Sequence, residues 1–365
     1  MTRMTRRAFG RTALTGGAAT LAAPALAQTQ PEYVWRMTSS FPRALDTIFG
    51  TSEHFRDRIA ELTEGRMKIE IFAPGEIVGG LQALDAATEG TVEMAHTGSY
   101  YFVGKNEAFA FGTSVPFGLN TRQQNAWLYQ GGGIDICNDF YKGYNLIGLP
   151  FGNTGAQMGG WFRREINTVD DLKGLKLRVG GFAGRVFARL GAVPQQIAGG
   201  DVYPALERGT IDAAEWVGPY DDEKLGFAKV APYYYAPGWW EGSTTIHLFI
   251  NLDAWNALPP FFKTAIATAA AEADLWTITK YDALNPDAIT RLIQQGAQLR
   301  WFSEEIMGAC YEATQAVMTE TAEANAEFRK IYDQWKAFQA KENFWFQVAE
   351  VPFERFVYQR SRDKG

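Results

Sequence analysis

The chain has 365 residues, of which 46% are hydrophobic and 21% are charged, which is enough for two lobes with their own cores. Its formal charge is −6, and removing the four arginines of the N-terminal segment takes the charge to −10. Such an acidic mature protein is a poor partner for nucleic acid or an anionic membrane, so a bound anion must be held by a specifically placed cation.

The N-terminal segment 1–27 has the pattern of an export signal. Arg6 and Arg7 form a twin-arginine pair followed by Phe9, and a short apolar run ends in an A-x-A cleavage site at 25–27. This run is too short and too rich in Gly and Ala for a membrane span, and no later segment is long and apolar enough. We therefore expect export by the twin-arginine route and a mature protein that begins near Gln28 in a bacterial periplasm.

Strand and helix patterns alternate through the first part of the mature chain. Segment 67–72 alternates apolar and polar residues as a strand does, a helical segment follows at 80–88, and another strand is predicted at 90–95. Such alternation predicts a parallel sheet. Segments 144–150 and 244–251 also have strand patterns, and we expect both to cross between two lobes, as in a hinged protein.

An internal repeat links the two predicted lobes. Segment 90–95 (GTVEMA) matches segment 209–214 (GTIDAA) in residue type, and each follows a helical segment. Gly209 fits a helix C-cap, where a residue without a Cβ turns left-handed most easily. The strand that follows delivers Glu215 and Trp216 to its C-terminal end, where open α/β sheets bind ligands. The alternative is a surface carboxylate beside an ordinary core tryptophan.

The C-terminal third of the chain is predicted to be mainly helical. Helices are expected at 261–281 and 286–295, followed by a short strand at 298–302. A further helix begins after the N-cap Ser303 and runs to about 339 without a glycine or proline after Gly308, as a spine or an arm for a partner. The predicted division is lobe I at 28–148 and 252–302, lobe II at 149–251, and a helical arm at 303–365.

The sequence gives little support to a catalytic function. No nucleophile elbow, HExxH motif, P-loop or CxxC is present. His54, His96 and His247 are scattered in different contexts, and we expect each to be structural. We expect Cys137 and Cys310 to be two buried free thiols, although the oxidising environment of an exported protein also permits a disulfide between them.

One group of residue types favours a carboxylate clamp with an ion. Arg178 can grip a small carboxylate through two parallel N–H···O bonds. Gln157, Glu215 and Glu241 offer hard oxygen ligands for Na⁺ or Ca²⁺, and a cation would offset two acids that face an anionic ligand. The alternative is a periplasmic carbohydrate-active enzyme or lectin that uses Glu215 and Glu241 as an acid pair with neighbouring tryptophans as sugar platforms.

From about residue 35 onward, the sequence resembles the extracytoplasmic solute-binding subunits of tripartite ATP-independent periplasmic (TRAP) transporters, and within them the α-keto acid-binding type. Four motifs carry this resemblance: PGEI at 74–77, EGTVEM at 89–94, LKGLKLR at 172–178 and RGTIDAAEW at 208–216. The resemblance implies an α/β, two-lobe, type II-like periplasmic binding protein that is not an enzyme. Strands would cross its hinge, and a long C-terminal helix would form a spine.

The resemblance also implies which residues form the site. Arg178 would pair with the ligand carboxylate, and Tyr101 and Phe182 are candidates for pocket walls. A cation would be held by four positions: Gln157, Glu215, the carbonyl of Trp216, and Glu241.

Ligand and partners follow from the same resemblance. It implies a 2-oxo monocarboxylate such as pyruvate or 2-oxobutyrate, bound with Na⁺ and delivered to membrane permease subunits. Ca²⁺ is the alternative cation, and lactate or another 2-hydroxy acid with Ca²⁺ is the nearer alternative ligand. A homodimer built by exchanging C-terminal helices would give the 303–339 helix its purpose.

Overall fold

The computed structural model describes residues 32–362, which form two β-sheets flanked by helices. The expected export signal, 1–27, lies outside the described residues. The strands of the first sheet are β1 (Tyr33–Ser39), β2 (Met67–Phe72), β3 (Met94–Thr97), β4 (Leu146–Asn153) and β10 (Thr245–Asn251). Those of the second sheet are β5 (Gly160–Phe162), β6 (Lys176–Arg178), β7 (Val193–Gln195), β8 (Ala213–Ala214), β9 (Tyr233–Ala236) and β11 (Gln298–Trp301).

Strand order is equivalent in the two sheets. The first runs β2-β1-β3-β10-β4 and the second runs β7-β6-β8-β5-β9-β11. In each, three parallel strands are followed by a strand that runs antiparallel to both of its neighbours, and the second sheet adds β11 beside β9. Gly90 and Gly209 occupy matching positions after a helix, with φ of 72° and 68°, in the left-handed region that a glycine enters without strain. This arrangement is the one that the internal sequence repeat predicts.

Helices cover both sheets. The helices are α1 (Gly50–Leu62), α2 (Ala83–Thr88), α3 (Ala110–Thr113), α4 (Thr121–Gln130), α5 (Gly133–Tyr141), α6 (Ala183–Arg189), α7 (Gly199–Glu207), α8 (Pro219–Leu225), α9 (Leu252–Ala257), α10 (Pro260–Gln294), α11 (Glu304–Ala324) and α12 (Ala326–Arg362). Within residues 32–362, none of these helices combines the length and the apolar character needed to cross a membrane.

Helix α10 forms a spine between the lobes. It packs on α1 and β4 of the first lobe and on α8 of the second. The prediction of two helices here, at 261–281 and 286–295, is wrong, because α10 continues for 35 residues through Pro286. A proline in a helix interior removes one backbone hydrogen bond, and packing on both lobes offsets that loss.

The helical arm is divided at Asn325. The prediction of one helix from 303 to 339 is wrong, since α11 ends and α12 begins there. Asn325 has extended backbone angles, and its side-chain oxygen accepts the N–H groups of Glu327 (3.0 Å) and Phe328 (3.1 Å). An asparagine N-cap can therefore break a run of good helix formers without glycine or proline. Helix α11 packs on α6, and α12 packs on α4 and α5.

Strand β11 belongs to the second sheet. It pairs in parallel with β9, from Gln298 beside Tyr233 to Trp301 beside Ala236. The division that gave all of 252–302 to the first lobe therefore misplaced this strand. Sheet membership depends on a long-range pairing that the local pattern of 298–302 does not contain.

The described histidines and cysteines have structural surroundings. His96 is buried with its Nδ1 beside the hydroxyls of Ser39 (3.2 Å) and Ser52 (2.6 Å), and burial lowers its pKa to about 3. Burial likewise lowers the pKa of His247 to about 4. Both cysteines are buried and unbonded, and burial raises the pKa of each thiol to about 12. His96, His247 and the two thiols are therefore not poised for acid–base or thiolate chemistry near neutral pH.

Candidate functional site

Two neighbouring strands of the second sheet bring Arg178 and Glu215 together. Arg178 is the last residue of β6, and it lies beside Ala214, the last residue of β8. Glu215 follows directly, and its backbone N–H donates to the Arg178 carbonyl at 3.1 Å. The carboxyl ends of these parallel strands therefore place both side chains at one edge of the sheet, where α/β folds bind ligands.

Arg178 and Glu215 form a buried ion pair, with exposed fractions of 1% and 0%. The Arg178 Nη1 donates to the Glu215 carboxylate and to its backbone carbonyl, and the Nε donates to the carbonyl of Ile197 at 3.3 Å. The same carboxylate oxygen accepts the N–H of Gly180 at 2.8 Å. Burial raises the pKa of Glu215, while the Arg178 charge and the Gly180 N–H oppose that rise.

A second carboxylate lies next to this pair. Glu241 is 1% exposed, and its carbonyl accepts the backbone N–H of Gln157 at 3.0 Å. Burial raises the pKa of Glu241 well above its usual range, and the nearby Glu215 charge raises it further. Both Glu241 carboxylate oxygens, Glu215 Oε2 and Gln157 Oε1 are buried and make no hydrogen bond of ordinary geometry in the described part of the chain, although the nearby Tyr100 phenol lowers the pKa of Glu241 and the nearby Trp240 indole lowers that of Glu215. Buried polar oxygens without partners are costly, so this group is suited to a ligand that supplies positive charge.

The oxygen set fits a hard cation. Two carboxylates, one amide oxygen and the carbonyl of Trp216, which accepts no hydrogen bond from residues 32–362, are the ligand types that Na⁺ and Ca²⁺ take. No group of three or more His, Cys, Asp or Glu side chains in this part of the chain forms a metal site, so the candidate set is a mixed one.

A small cavity adjoins these groups between the lobes. Its volume is about 10 Å³, close to the space that one water molecule needs. A three-carbon acid therefore needs the walls to move apart before it enters. The lining combines apolar and polar side chains: Phe41, Ile48, Tyr100, Tyr101, Thr154, Gln157, Trp216, Val217, Thr244 and Ile246.

The two predicted wall residues have different positions. Tyr101 lines the cavity, and burial raises the pKa of its phenol to about 12. Phe182 is 1% exposed, and its ring stacks on Phe328 of α12 with centroids 5.6 Å apart. The packing therefore gives no support to Phe182 as a pocket wall. Aromatic residues near a pocket are as often part of the surrounding core, and residue type does not separate the two roles.

Seven of the ten residues that line the cavity were not predicted from the sequence, among them Tyr100 and Thr244. Tyr100 is 4% exposed, and burial together with the charge of Glu241 raises the pKa of its phenol. Thr244 lines the cavity, and its buried hydroxyl has no partner in residues 32–362. The available signal was position, because Tyr100 lies three residues after the end of β3, in the first-lobe loop that corresponds to the loop beginning at Glu215 after β8 in the second.

The tryptophans of the WWE segment are not sugar platforms in this arrangement. Trp239 and Trp240 are 4% and 1% exposed, and both rings pack against Phe187. A sugar platform needs an indole face that the ligand can reach. The carbohydrate interpretation therefore has no supporting surface at these two residues.

Trp216 depends on close packing with Gly199. Its indole ring lies 4.9 Å from the Arg178 guanidinium, and a Cβ added to Gly199 would fall 2.3 Å from the ring edge. We expect Gly199→Ala to push the indole out of place at a cost of about 1–3 kcal/mol, and to weaken ligand binding about tenfold. Near-ultraviolet circular dichroism and ligand titration measure the two effects.

The adjacent Gly200 supplies the matched control. It lies in the same helix, and a Cβ there would meet no atom within 4 Å. Gly200→Ala should keep both the near-ultraviolet spectrum and the wild-type affinity. Equal behaviour of the two alanine variants would show that the close approach of Gly199 to Trp216 has no role in the site.

Both lobes close over the site in this structure. Glu107 of the first lobe accepts from Arg185 of the second at 2.8 Å, and Asp46 pairs with Lys224 across another part of the boundary. The proposed ligands of the cation and the carboxylate are at most 5% exposed: Gln157, Arg178, Glu215, Trp216 and Glu241. A ligand can therefore reach them only when the lobes separate, as in proteins that close around a small molecule.

Comparison with known proteins identifies the family. The family model described as bacterial extracellular solute-binding protein, family 7 (DctP) matches residues 38–325. The monocarboxylate 2-oxoacid-binding periplasmic protein of Nostoc sp. is 52% identical over 327 residues, covering 90% of this chain and 90% of that protein.

Solved structures agree with this assignment. A TRAP transporter solute-binding protein from Bordetella bronchiseptica, described as a mixed-occupancy dimer with copurified calcium and picolinate, is 48% identical. It has a TM-score of 0.90 and covers 92% of this chain and 100% of its own. A TRAP solute-binding protein from Pseudoalteromonas atlantica with bound sodium and pyruvate is 37% identical, with a TM-score of 0.86 and coverage of 88% and 98%. The chain belongs to the DctP family of periplasmic TRAP-transporter solute-binding proteins.

Proposed function

We propose that the protein captures a 2-oxo monocarboxylate of the pyruvate or 2-oxobutyrate class together with a cation, and delivers it to the membrane permease. One observation carries the proposal: unpartnered, buried carboxylate and amide oxygens of Glu241, Glu215 and Gln157 surround a buried Arg178. The set offers oxygen ligands to a cation and one guanidinium to an anion. The 2-oxo acid specificity of the Nostoc relative supports the same ligand class.

Arg178 and the oxygen set have separate tasks in this proposal. Because Nη1 is taken up by Glu215, the ligand carboxylate would meet Nη2, which has no carboxylate or carbonyl acceptor among residues 32–362. A bound cation would supply positive charge to both the carboxylate and the keto oxygen of the ligand. A cation that contacts both oxygens would favour 2-oxo and 2-hydroxy acids over plain fatty acids, which have no second oxygen next to the carboxylate.

We propose Na⁺ as the cation, with Ca²⁺ as the alternative. With both carboxylates ionised, they and Arg178 together carry one negative charge, and a monocarboxylate ligand adds another. Either ion reduces that charge, and solved relatives were described with calcium or with sodium. Ion choice therefore depends on details of coordination geometry that both ions tolerate.

A thermal-shift plate with defined cations tests the proposal. Protein freed of ligand and treated with chelator would receive pyruvate, 2-oxobutyrate, lactate, butyrate or an oligosaccharide, each with and without Na⁺ or Ca²⁺. We expect stabilisation of about 2.7 kcal/mol at 100 times Kd for the 2-oxo acids, and only when a cation is present. Stabilisation by lactate with Ca²⁺ alone would move the assignment to 2-hydroxy acids. A response limited to oligosaccharides would overturn it.

Two lobes and an export signal complete the proposal. Lobe I would comprise 28–148 and the helical part of 252–302, and lobe II would comprise 149–251 with β11 added. The twin-arginine signal at 1–27 would carry the folded protein to the periplasm. Replacing Arg6 and Arg7 together by lysine should retain the precursor in the cytoplasm, and cell fractionation would reveal it.

We also propose a homodimer that exchanges the ends of α12. This helix is 37 residues long, and its C-terminal half exposes large apolar side chains to an unusual degree. Phe344 is 71% exposed, Phe353 67% and Trp345 55%. Light scattering after gel filtration should give twice the mass of one chain, and a chain ending at residue 341 should elute as a monomer.

A further inference from the structure

Phe117 has a strained backbone beside the site. It lies in the segment between α3 and α4, with φ of +51°, and is one of three non-glycine residues with positive φ in the described chain. A bulky residue in the left-handed region is held there only when its surroundings over-determine it. The contacts of Phe117 therefore hold its backbone in a left-handed conformation that a bulky side chain disfavours.

On one side, Phe117 holds the loop that carries Glu241. Its backbone N–H donates to the Trp239 carbonyl at 2.8 Å, and its ring stacks on the Trp239 indole with centroids 5.2 Å apart and planes 16° apart. Nearby, the Ser114 hydroxyl donates to the Trp240 carbonyl at 3.0 Å. The two residues before Glu241 are thus fixed by one segment of the first lobe.

On the other side, Phe117 contacts both arm helices. Its carbonyl accepts the Nε2–H of Gln339, in α12, at 3.0 Å. Its ring meets Tyr311 of α11 edge-on, with centroids 5.2 Å apart and planes 82° apart. One residue therefore touches α11, α12 and the loop that ends at Glu241.

We propose that Phe117 is a positioning residue for Glu241, and that it couples the cation position to the docking of helices α11 and α12. The proposal rests on the proposed function, because it takes Glu241 as a cation ligand. Phe117 is not among the residues that line the cavity. It fixes Trp239 by the ring stack and the backbone hydrogen bond, and Glu241 follows two residues later. Displacement of either helix would loosen the left-handed turn and move the Glu241 carboxylate away from the other oxygens.

Two substitutions at Phe117 separate the ring from the backbone. Phe117→Asn keeps a residue that tolerates the left-handed region but removes the ring, whereas Phe117→Tyr keeps the ring. We expect Phe117→Asn to raise the cation concentration for half-maximal pyruvate binding about tenfold, with a smaller change at saturating cation. Phe117→Tyr should behave as wild type. Equal cation requirements in wild type and Phe117→Asn would overturn the positioning role.

Two glutamines of α12 test the coupling to the helix. Gln339→Leu removes the donor to the Phe117 carbonyl. Gln334→Leu removes contacts of the same kind, to Trp127 and the Gly131 carbonyl, which do not lead to the Glu241 loop. We expect Gln339→Leu to raise the cation requirement about threefold and Gln334→Leu to leave it unchanged. A similar rise in both variants would indicate general loosening of α12 and would contradict the coupling.

Hydrogen exchange makes the test independent of ligand identity. The N–H of Glu241 donates to Gly238 at 2.9 Å, and that of Trp239 donates to Pro237 at 3.0 Å. In ligand-free protein, Phe117→Asn should speed exchange in peptides that cover 237–242, and Phe117→Tyr should not. If wild type binds no 2-oxo acid but this pattern holds, the proposed ligand is wrong and the positioning role stands. Unchanged hydrogen exchange of these peptides in Phe117→Asn would contradict the positioning role, whichever ligand the protein binds.

Discussion

Replacing Arg178 by methionine should remove most of the affinity for the 2-oxo acid. The ligand carboxylate would then lie in a site that is almost free of solvent without its guanidinium partner, at a cost of about 2–5 kcal/mol, or a factor of about 30 to several thousand in Kd. Titration calorimetry with pyruvate at saturating cation measures the loss. Arg178→Lys should bind with intermediate affinity, because lysine keeps the charge but loses the planar fork.

A double variant separates ligand binding from folding at this position. Arg178→Met alone leaves the 0% exposed Glu215 without its partner, which is expected to destabilise the fold by about 3–5 kcal/mol. Changing Glu215 to glutamine as well removes both charges and should recover most of that stability. Binding should stay lost in the double variant. Wild-type affinity in a well-folded double variant would contradict the proposed role of Arg178.

Glu241→Gln should remove the cation dependence of ligand binding. Glutamine keeps the shape of the side chain but supplies one amide oxygen in place of a carboxylate, so a bound cation loses one of two anionic ligands. We expect ligand affinity in the presence of the cation to fall by about 2–5 kcal/mol, towards the value in chelated buffer. Glu241 is the cleaner choice because Glu215 also pairs with Arg178.

Paired calorimetric titrations measure this effect. Each protein would be titrated with pyruvate in chelator-treated buffer and again with Na⁺ or Ca²⁺ added. Glu207→Gln is the matched control, since it makes the same chemical change at an exposed carboxylate in α7, away from the oxygen set. It should keep the wild-type cation dependence. A cation effect of full size in Glu241→Gln would exclude this carboxylate from the cation site.

The fold was predictable wherever a structural feature has a local cause in the sequence. The repeat at Gly90 and Gly209 was readable because a left-handed helix end has a local cause, the missing Cβ. The break at Asn325 was not predictable from local pattern. It depends on a side chain that caps the next helix and also donates to Asn106 and Glu107 in the first lobe. Strand β11 was misplaced for a similar reason, because its partner β9 lies about 65 residues earlier in the chain.

The site was predictable in its charged residues and less so in its walls. Arg178 and Glu215 follow from strand ends, and the structure brings them into contact with Glu241 close by. Residue type alone did not choose between Tyr100 and Tyr101, and Phe182 packs on Phe328 rather than among the residues that line the cavity. Walls are set by packing between lobes, which neither periodicity nor motif spacing encodes.

Burial of the site has a consequence for when the protein delivers its cargo. In the closed arrangement, Glu215 and Glu241 are 0% and 1% exposed, so closing without a cation keeps two carboxylates and only one guanidinium, that of Arg178, out of water. An acid anion without a cation would add to that repulsion, whereas the two together relieve it. If the proposed cation and acid bind together, closure would be favoured most when both are present. A permease that recognises the closed lobes would then seldom bind the protein when the acid and the cation are absent.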